Sequence, residues 1–254
     1  MFPPLASLLH GGASWFAMNT KHALWLFVLL SGAPALAQPV SRPGTHELRL
    51  PDSGRRYTLV IPRGYDGSKP VPLVVALHYG GPQTPYISRE FVAQLIAPAL
   101  RDLGAIIVAP DNASNGWANR TAEQHVLELV SYIESTYNVD PKRTLLTGYS
   151  MGGMGTWYLA PRHPDIFEVA VPMAGRPQAD STSLDWRTPT HVLNSTDDER
   201  IPIADARAAV TALEARGAPI AITVLGGITH FDVPRYRFPL RGLIPWIERT
   251  WQPD

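Results

Sequence analysis

The chain has 254 residues, 45% hydrophobic and 17% charged, the composition of a chain that buries a core and not of a disordered one. Its 22 basic and 22 acidic side chains cancel, which leaves no charge footprint for nucleic acid or for an anionic membrane surface. The absence of cysteine excludes a disulfide framework, a thiolate metal site, a catalytic thiol and a lipidated cysteine.

Residues 1–37 read as a secretory signal. They contain one lysine, Lys21, and no acid; Ala23 to Leu30 is wholly apolar, and Ala35-Leu36-Ala37 precedes Gln38. A basic start, a short apolar run and an A-x-A site are its three parts. The run is shorter than the roughly 20 apolar residues that span a bilayer, so a stable membrane anchor is not expected. Met18 is an alternative start, followed closely by Lys21. Residues 38–254 are then a single domain, secreted or periplasmic.

In the mature chain, strands are expected at 46–50, 56–61 and 73–77, the last a continuous apolar run of the kind buried on both faces. A helix is expected over 89–101, a strand at 105–109 and a helix over 121–137, where Val126, Leu129, Val130, Ile133 and Tyr137 form one stripe. A strand at 143–147, a helix from Met151, and strands at 169–173 and 191–194 follow. The remaining elements are a helix at 203–216, a strand at 220–225 and a helix near 240–251. Strands separated by helices imply a mostly parallel sheet with helices on both faces. The stretch between Met173 and Thr190 is short, so any cap is small or absent.

Gly148-Tyr149-Ser150-Met151-Gly152 lies between a strand and a helix. G-x-S-x-G in that place is a nucleophile elbow, in which glycines flank a serine held on a sharp turn. The following helix brings free N–H groups and a positive dipole end. Only His191 and His230 follow Ser150 by more than a helix. His191 sits within an apolar strand and reads as a packed or edge residue. His230 follows Gly226-Gly227 in a loop and is the expected base. The loop after the strand at 191–194 offers Asp197, Asp198 and Glu199 as the acid.

Tyr137-Asn138-Val139-Asp140-Pro141, Gly148 to Trp157, His163-Pro164-Asp165-Ile166-Phe167 and Val171-Pro172-Met173-Ala174-Gly175 resemble the serine esterases of the α/β-hydrolase superfamily. The similarity is to secreted feruloyl and acetyl xylan esterases, phospholipase/carboxylesterase proteins and "predicted peptidase" proteins. It covers most of residues 55–250. It implies the α/β-hydrolase fold, an eight-stranded sheet and a triad of Ser150, Asp198 and His230. Relatives often place the acid four residues before a proline, here Pro202, which favours Asp198 over Asp197. It also implies an oxyanion hole built from the N–H of Met151 and one in the loop His78-Tyr79-Gly80-Gly81. Gly80 is favoured there and Tyr79 second; Tyr79 departs from the family pattern, since relatives often have glycine after the histidine. His78 is read as shaping that loop. Trp117, Tyr86 and Trp186 are candidate substrate-binding aromatics, and Trp157 is read as core.

The expected activity is carboxylic ester hydrolysis through an acyl-enzyme, with no cofactor and no metal. The expected partner is a short-chain, aromatic or polymer-linked ester. A serine peptidase of the same fold, a non-catalytic binding protein on a hydrolase scaffold and an acyltransferase are the rival classes.

Overall fold

Eight strands form, most of them apolar runs, with charged residues in β1 and in the first half of β5: β1 (Gly44–Arg49), β2 (Arg56–Ile61), β3 (Val71–Leu77), β4 (Ile106–Pro110), β5 (Val139–Tyr149), β6 (Val169–Met173), β7 (Thr190–Ser195) and β8 (Ile220–Leu225). They are seen in a computed structural model that describes residues 39–82, 84–112, 116–178 and 180–252; the expected leader lies outside these. The strands make one sheet in the order β1-β2-β4-β3-β5-β6-β7-β8. From β4 to β8 every pairing is parallel. The β1–β2 and β2–β4 pairings are antiparallel, so the sheet is mixed at one end. A tight turn closes the β1–β2 hairpin: Gly54 donates its N–H to Leu50 O, and Leu50 donates to Arg55 O.

Alternate residues of β3 feed two cores. Leu73, Val75 and Leu77 join one, Val74 and Ala76 the other. The first core also takes the buried stripes of α3 (Arg120–Thr136) and α5 (Ile203–Glu214), with Trp157 and Leu159 of α4 (Met151–Leu159). The second takes residues of α1 (Ile87–Phe91), α2 (Ala97–Leu100), α6 (Arg237–Gly242) and α7 (Ile244–Thr250). Asn119 caps α3, its side chain accepting from Ala122 N at 2.9 Å.

Three elements depart from the expected ones, each beside a proline. The helix expected over 89–101 is two short helices joined by a wider π turn at Val92–Ile96. Pro98 cannot donate to the carbonyl of Gln94, and that carbonyl instead accepts from the Arg237 guanidinium. The last helix divides at Leu243, two residues before Pro245. β5 starts at Val139, earlier than expected, and runs through Pro141 by means of a register shift: Val71 faces Val139, whereas Leu73 faces Thr144. Between β6 and β7 the described residues carry one 3₁₀ turn, Ser181–Ser183, and no cap helix.

Candidate active site

β5 lies between β3 and β6 and delivers Ser150 at its carboxyl end. Ser150 has φ 55° and ψ −113°, a conformation that L-residues rarely adopt and that persists only where its surroundings enforce it. Its N–H donates to Met173 O at 3.0 Å, and its carbonyl accepts from Met154 N at 2.9 Å. The flanking glycines are there for space. A Cβ on Gly148 would stand 2.3 Å from Gly152 O, and one on Gly152 would stand 1.8 Å from Leu77 O.

Ser150 Oγ lies 2.8 Å from His230 Nε2. His230 Nδ1 lies 2.9 and 2.8 Å from the two carboxylate oxygens of Asp198. A carboxylate only accepts, so Nδ1 carries the proton and Nε2 is the acceptor for the Ser150 hydroxyl. The side chain of Asp198 is wholly buried, and its Oδ1 also accepts from Arg200 N (2.9 Å) and Ile201 N (2.7 Å). The three residues thus form one hydrogen-bonded chain, drawn from the ends of β5, β7 and β8. Asp197 points elsewhere: its Oδ2 accepts from Gly227 N at 2.7 Å, and this holds its carboxyl below the usual range.

The backbone of His230 is held as firmly as its ring. Its N–H donates to Glu199 Oε2 at 3.0 Å, and its carbonyl accepts from the Tyr149 hydroxyl at 2.8 Å. Burial, above all, pushes the Tyr149 phenol far up, so it stays a donor. Asp232 accepts from both the N–H and the hydroxyl of Thr229, and the Arg235 guanidinium donates to Gly227 O. Glu199 and Tyr149 had no sequence signal for this role, because both bond main-chain groups some thirty to eighty residues away.

The loop after β3 stands beside Met151. A Cβ on Gly80 would lie 3.7 Å from Met151 Sδ and 3.9 Å from Met151 Cβ. Met151 opens α4, so its N–H is one of those a helix leaves without an internal partner. His78 is fully buried between two main-chain groups: Nε2 accepts from Asn112 N at 3.1 Å, and Nδ1 donates to Tyr79 O at 2.7 Å. Burial lowers its pKa, so the ring is neutral and shapes the loop. The Tyr79 ring turns onto Phe91, with centroids 5.7 Å apart.

The aromatics expected at the pocket are placed differently from one another. Trp117 is buried in the core, donates to His78 O at 2.9 Å and packs on the His78 ring, so it braces the loop and does not line a cleft. Trp186 is also buried, against Trp157, with its indole N–H on Thr190 Oγ1 at 3.0 Å. Both are corrected to core residues, since a side chain enclosed on all sides has no face left for substrate. Tyr86 is half-buried with the Arg56 guanidinium 6.0 Å over its ring. Trp157 is fully buried, and His191 bonds Thr223 Oγ1 at 2.8 Å.

A nucleophile elbow at the end of β5 and a histidine after β8 define an α/β-hydrolase. The chain matches the "Putative esterase" family model over residues 52–216 and belongs to that esterase family. The match includes Ser150 and Asp198 and ends before His230. The chain is 33% identical to feruloyl esterase C of Emericella nidulans over 127 residues, which is 48% of this chain and 46% of that one. It is 27% identical to "Probable acetylxylan esterase A" of Neosartorya fischeri over 178 residues, 63% of this chain and 47% of that one. The chain spans about half the length of the curated relatives it matches. Among solved structures it resembles a thermostable esterase, with a TM-score of 0.67 and 22% identity, over 81% of this chain and 62% of the other.

Proposed function

We propose that this protein is a secreted serine carboxylic ester hydrolase that works through an acyl-enzyme on Ser150. The observation that carries the reading is the chain Ser150 Oγ, His230 Nε2, His230 Nδ1, Asp198, with each link at 2.8 or 2.9 Å. His230 takes the Ser150 proton as Oγ attacks the ester carbonyl. It then gives that proton to the departing alcohol. A water, activated in turn by His230, releases the acid. Asp198 fixes the tautomer and stabilises the imidazolium. The oxyanion that forms in both half-reactions is received by the Met151 N–H and by an amide of the Tyr79–Gly80 pair.

The substrates we propose are short-chain, aromatic or polymer-linked esters. The feruloyl and acetylxylan esterase relatives support that class, as does the absence of a cap helix over the described site. Export rests on the leader at 1–37, with cleavage after Ala37.

The deciding experiment joins a fluorophosphonate probe to a substrate panel of p-nitrophenyl acetate, methyl ferulate, acetylated xylan and an aminoacyl anilide. Wild type is expected to be labelled at Ser150 and to turn over esters and not the anilide. Ser150→Ala is expected to lose labelling and at least about 10⁴-fold in rate. Labelling or wild-type turnover in that variant would overturn the assignment, and preference for the anilide would make the protein a peptidase.

A further inference from the structure

Among the described residues three large hydrophobic side chains are exposed: Val224, Phe231 and Phe238, at 40%, 73% and 78%. All three lie within the stretch that flanks His230. Phe231 is the next residue after it, and its ring stands edge-on to the imidazole, with centroids 5.7 Å apart and planes at 87°. The imidazole also packs against the buried Tyr149, with centroids 5.7 Å apart. The loop does not expose Phe231 by fraying. It is pinned before Phe231 by Asp197 and Arg235 at Gly227, and directly after it by Asp232 on Thr229. Hiding such a ring would stabilise the fold, and this loop leaves that burial unused.

The chemistry gives the ring a direction. His230 Nε2 must reach the departing alcohol oxygen to protonate it, so the alcohol half of the ester passes the imidazole, and the acyl half stays on Ser150. An exposed ring packed on the imidazole is therefore placed to meet the alcohol half. Building on the ester-hydrolase reading above, we propose that Phe231 is the leaving-group subsite, a ring platform that binds ring-bearing alcohols by their flat face. It is a specificity-determining residue for acylation and has no part in deacylation, because the alcohol has left by then.

The test holds the acyl group fixed and varies the alcohol, with methyl butyrate and benzyl butyrate. kcat/KM reports the steps through acylation. Phe231→Ala is expected to lose roughly 3- to 10-fold in kcat/KM on benzyl butyrate, the scale of one aromatic pair, and less than about 2-fold on methyl butyrate. Phe231→Trp is expected to keep the benzyl preference. Phe238→Ala, a change of equal apolar exposure without ring contact to His230, is expected to leave both rates alone. An equal loss on both esters, an unchanged ratio, the same loss in Phe238→Ala, or a preference that tracks the acyl group across methyl esters would each overturn the subsite. Turnover that persists in Ser150→Ala would remove the underlying reading as well. Turnover that depends on Ser150 with an unchanged ratio in Phe231→Ala removes only the subsite.

Discussion

Asp197 and Asp198 are adjacent carboxylates with different tasks. Asp198 is buried against the imidazole and two main-chain N–H groups, whereas Asp197 is exposed and ties the β7 loop to Gly227. Replacing either by asparagine keeps the shape and removes the charge. In Asp198→Asn the amide can offer an N–H toward Nδ1, and the histidine is then held in the wrong tautomer. The expected result is a fall in kcat of roughly 10³–10⁴-fold on p-nitrophenyl acetate with a nearly unchanged KM. In Asp197→Asn the side chain keeps an oxygen for Gly227, and the expected fall is less than about 10-fold. Similar losses in the two variants would mean that the acid is not Asp198 alone. Sequence could narrow the acid to this loop, because chain order and a preceding strand are local signals. It could not show Glu199 or Tyr149 holding the His230 backbone, since those partners meet only once β5, β7 and β8 are side by side.

At the scale of elements, period and punctuation were readable, and packing between elements was not. Most of the strands follow from apolar runs, though not β1 or the first half of β5, and the elbow follows from two glycines around a serine. Trp117 and Trp186 were misread as pocket residues because an aromatic in a loop carries no mark of the side it faces. Here Trp117 fits against Gly155 of α4, where a Cβ would lie 2.2 Å from Trp117 Cβ and 3.0 Å from Leu77 Cδ1. That contact makes a prediction whose sign runs against helix propensity. Alanine in place of glycine inside a helix is ordinarily favourable by about 1 kcal/mol. Gly155→Ala is nevertheless expected to destabilise by roughly 1–3 kcal/mol, because neither α4 nor the Trp117 backbone can retreat. Gly226→Ala, where an added Cβ meets nothing within 4 Å, is expected to stay within about 0.5 kcal/mol of wild type. Urea unfolding midpoints decide it, and a Gly155→Ala protein as stable as wild type would show that the two elements are not tightly seated.

For the whole molecule, the same lack of cysteine that excludes thiol chemistry also makes a claim about stability. A protein proposed to leave the reducing cytoplasm commonly relies on disulfides, above all when it is too small to bury enough surface. The described residues build a core without them: both sheet faces are covered, and Leu73, Val74, Val75, Ala76 and Leu77 of the central β3 are each fully buried. The site is likewise closed by hydrogen bonds, with Asp197, Glu199, Tyr149 and Asp232 holding the His230 loop. The fold and the site should therefore be indifferent to redox conditions. Residues 38–254 produced in the cytoplasm without the leader are expected to show the same Tm and the same kcat/KM on p-nitrophenyl acetate as protein exported with it, and neither value should move on adding a millimolar thiol reductant. Protein recovered after export is expected to begin at Gln38 by intact mass. A lower Tm or a lost rate in the cytoplasmic form would mean that maturation supplies something the core and the loop clamps do not. An N-terminus elsewhere would move the cleavage site without touching the rest.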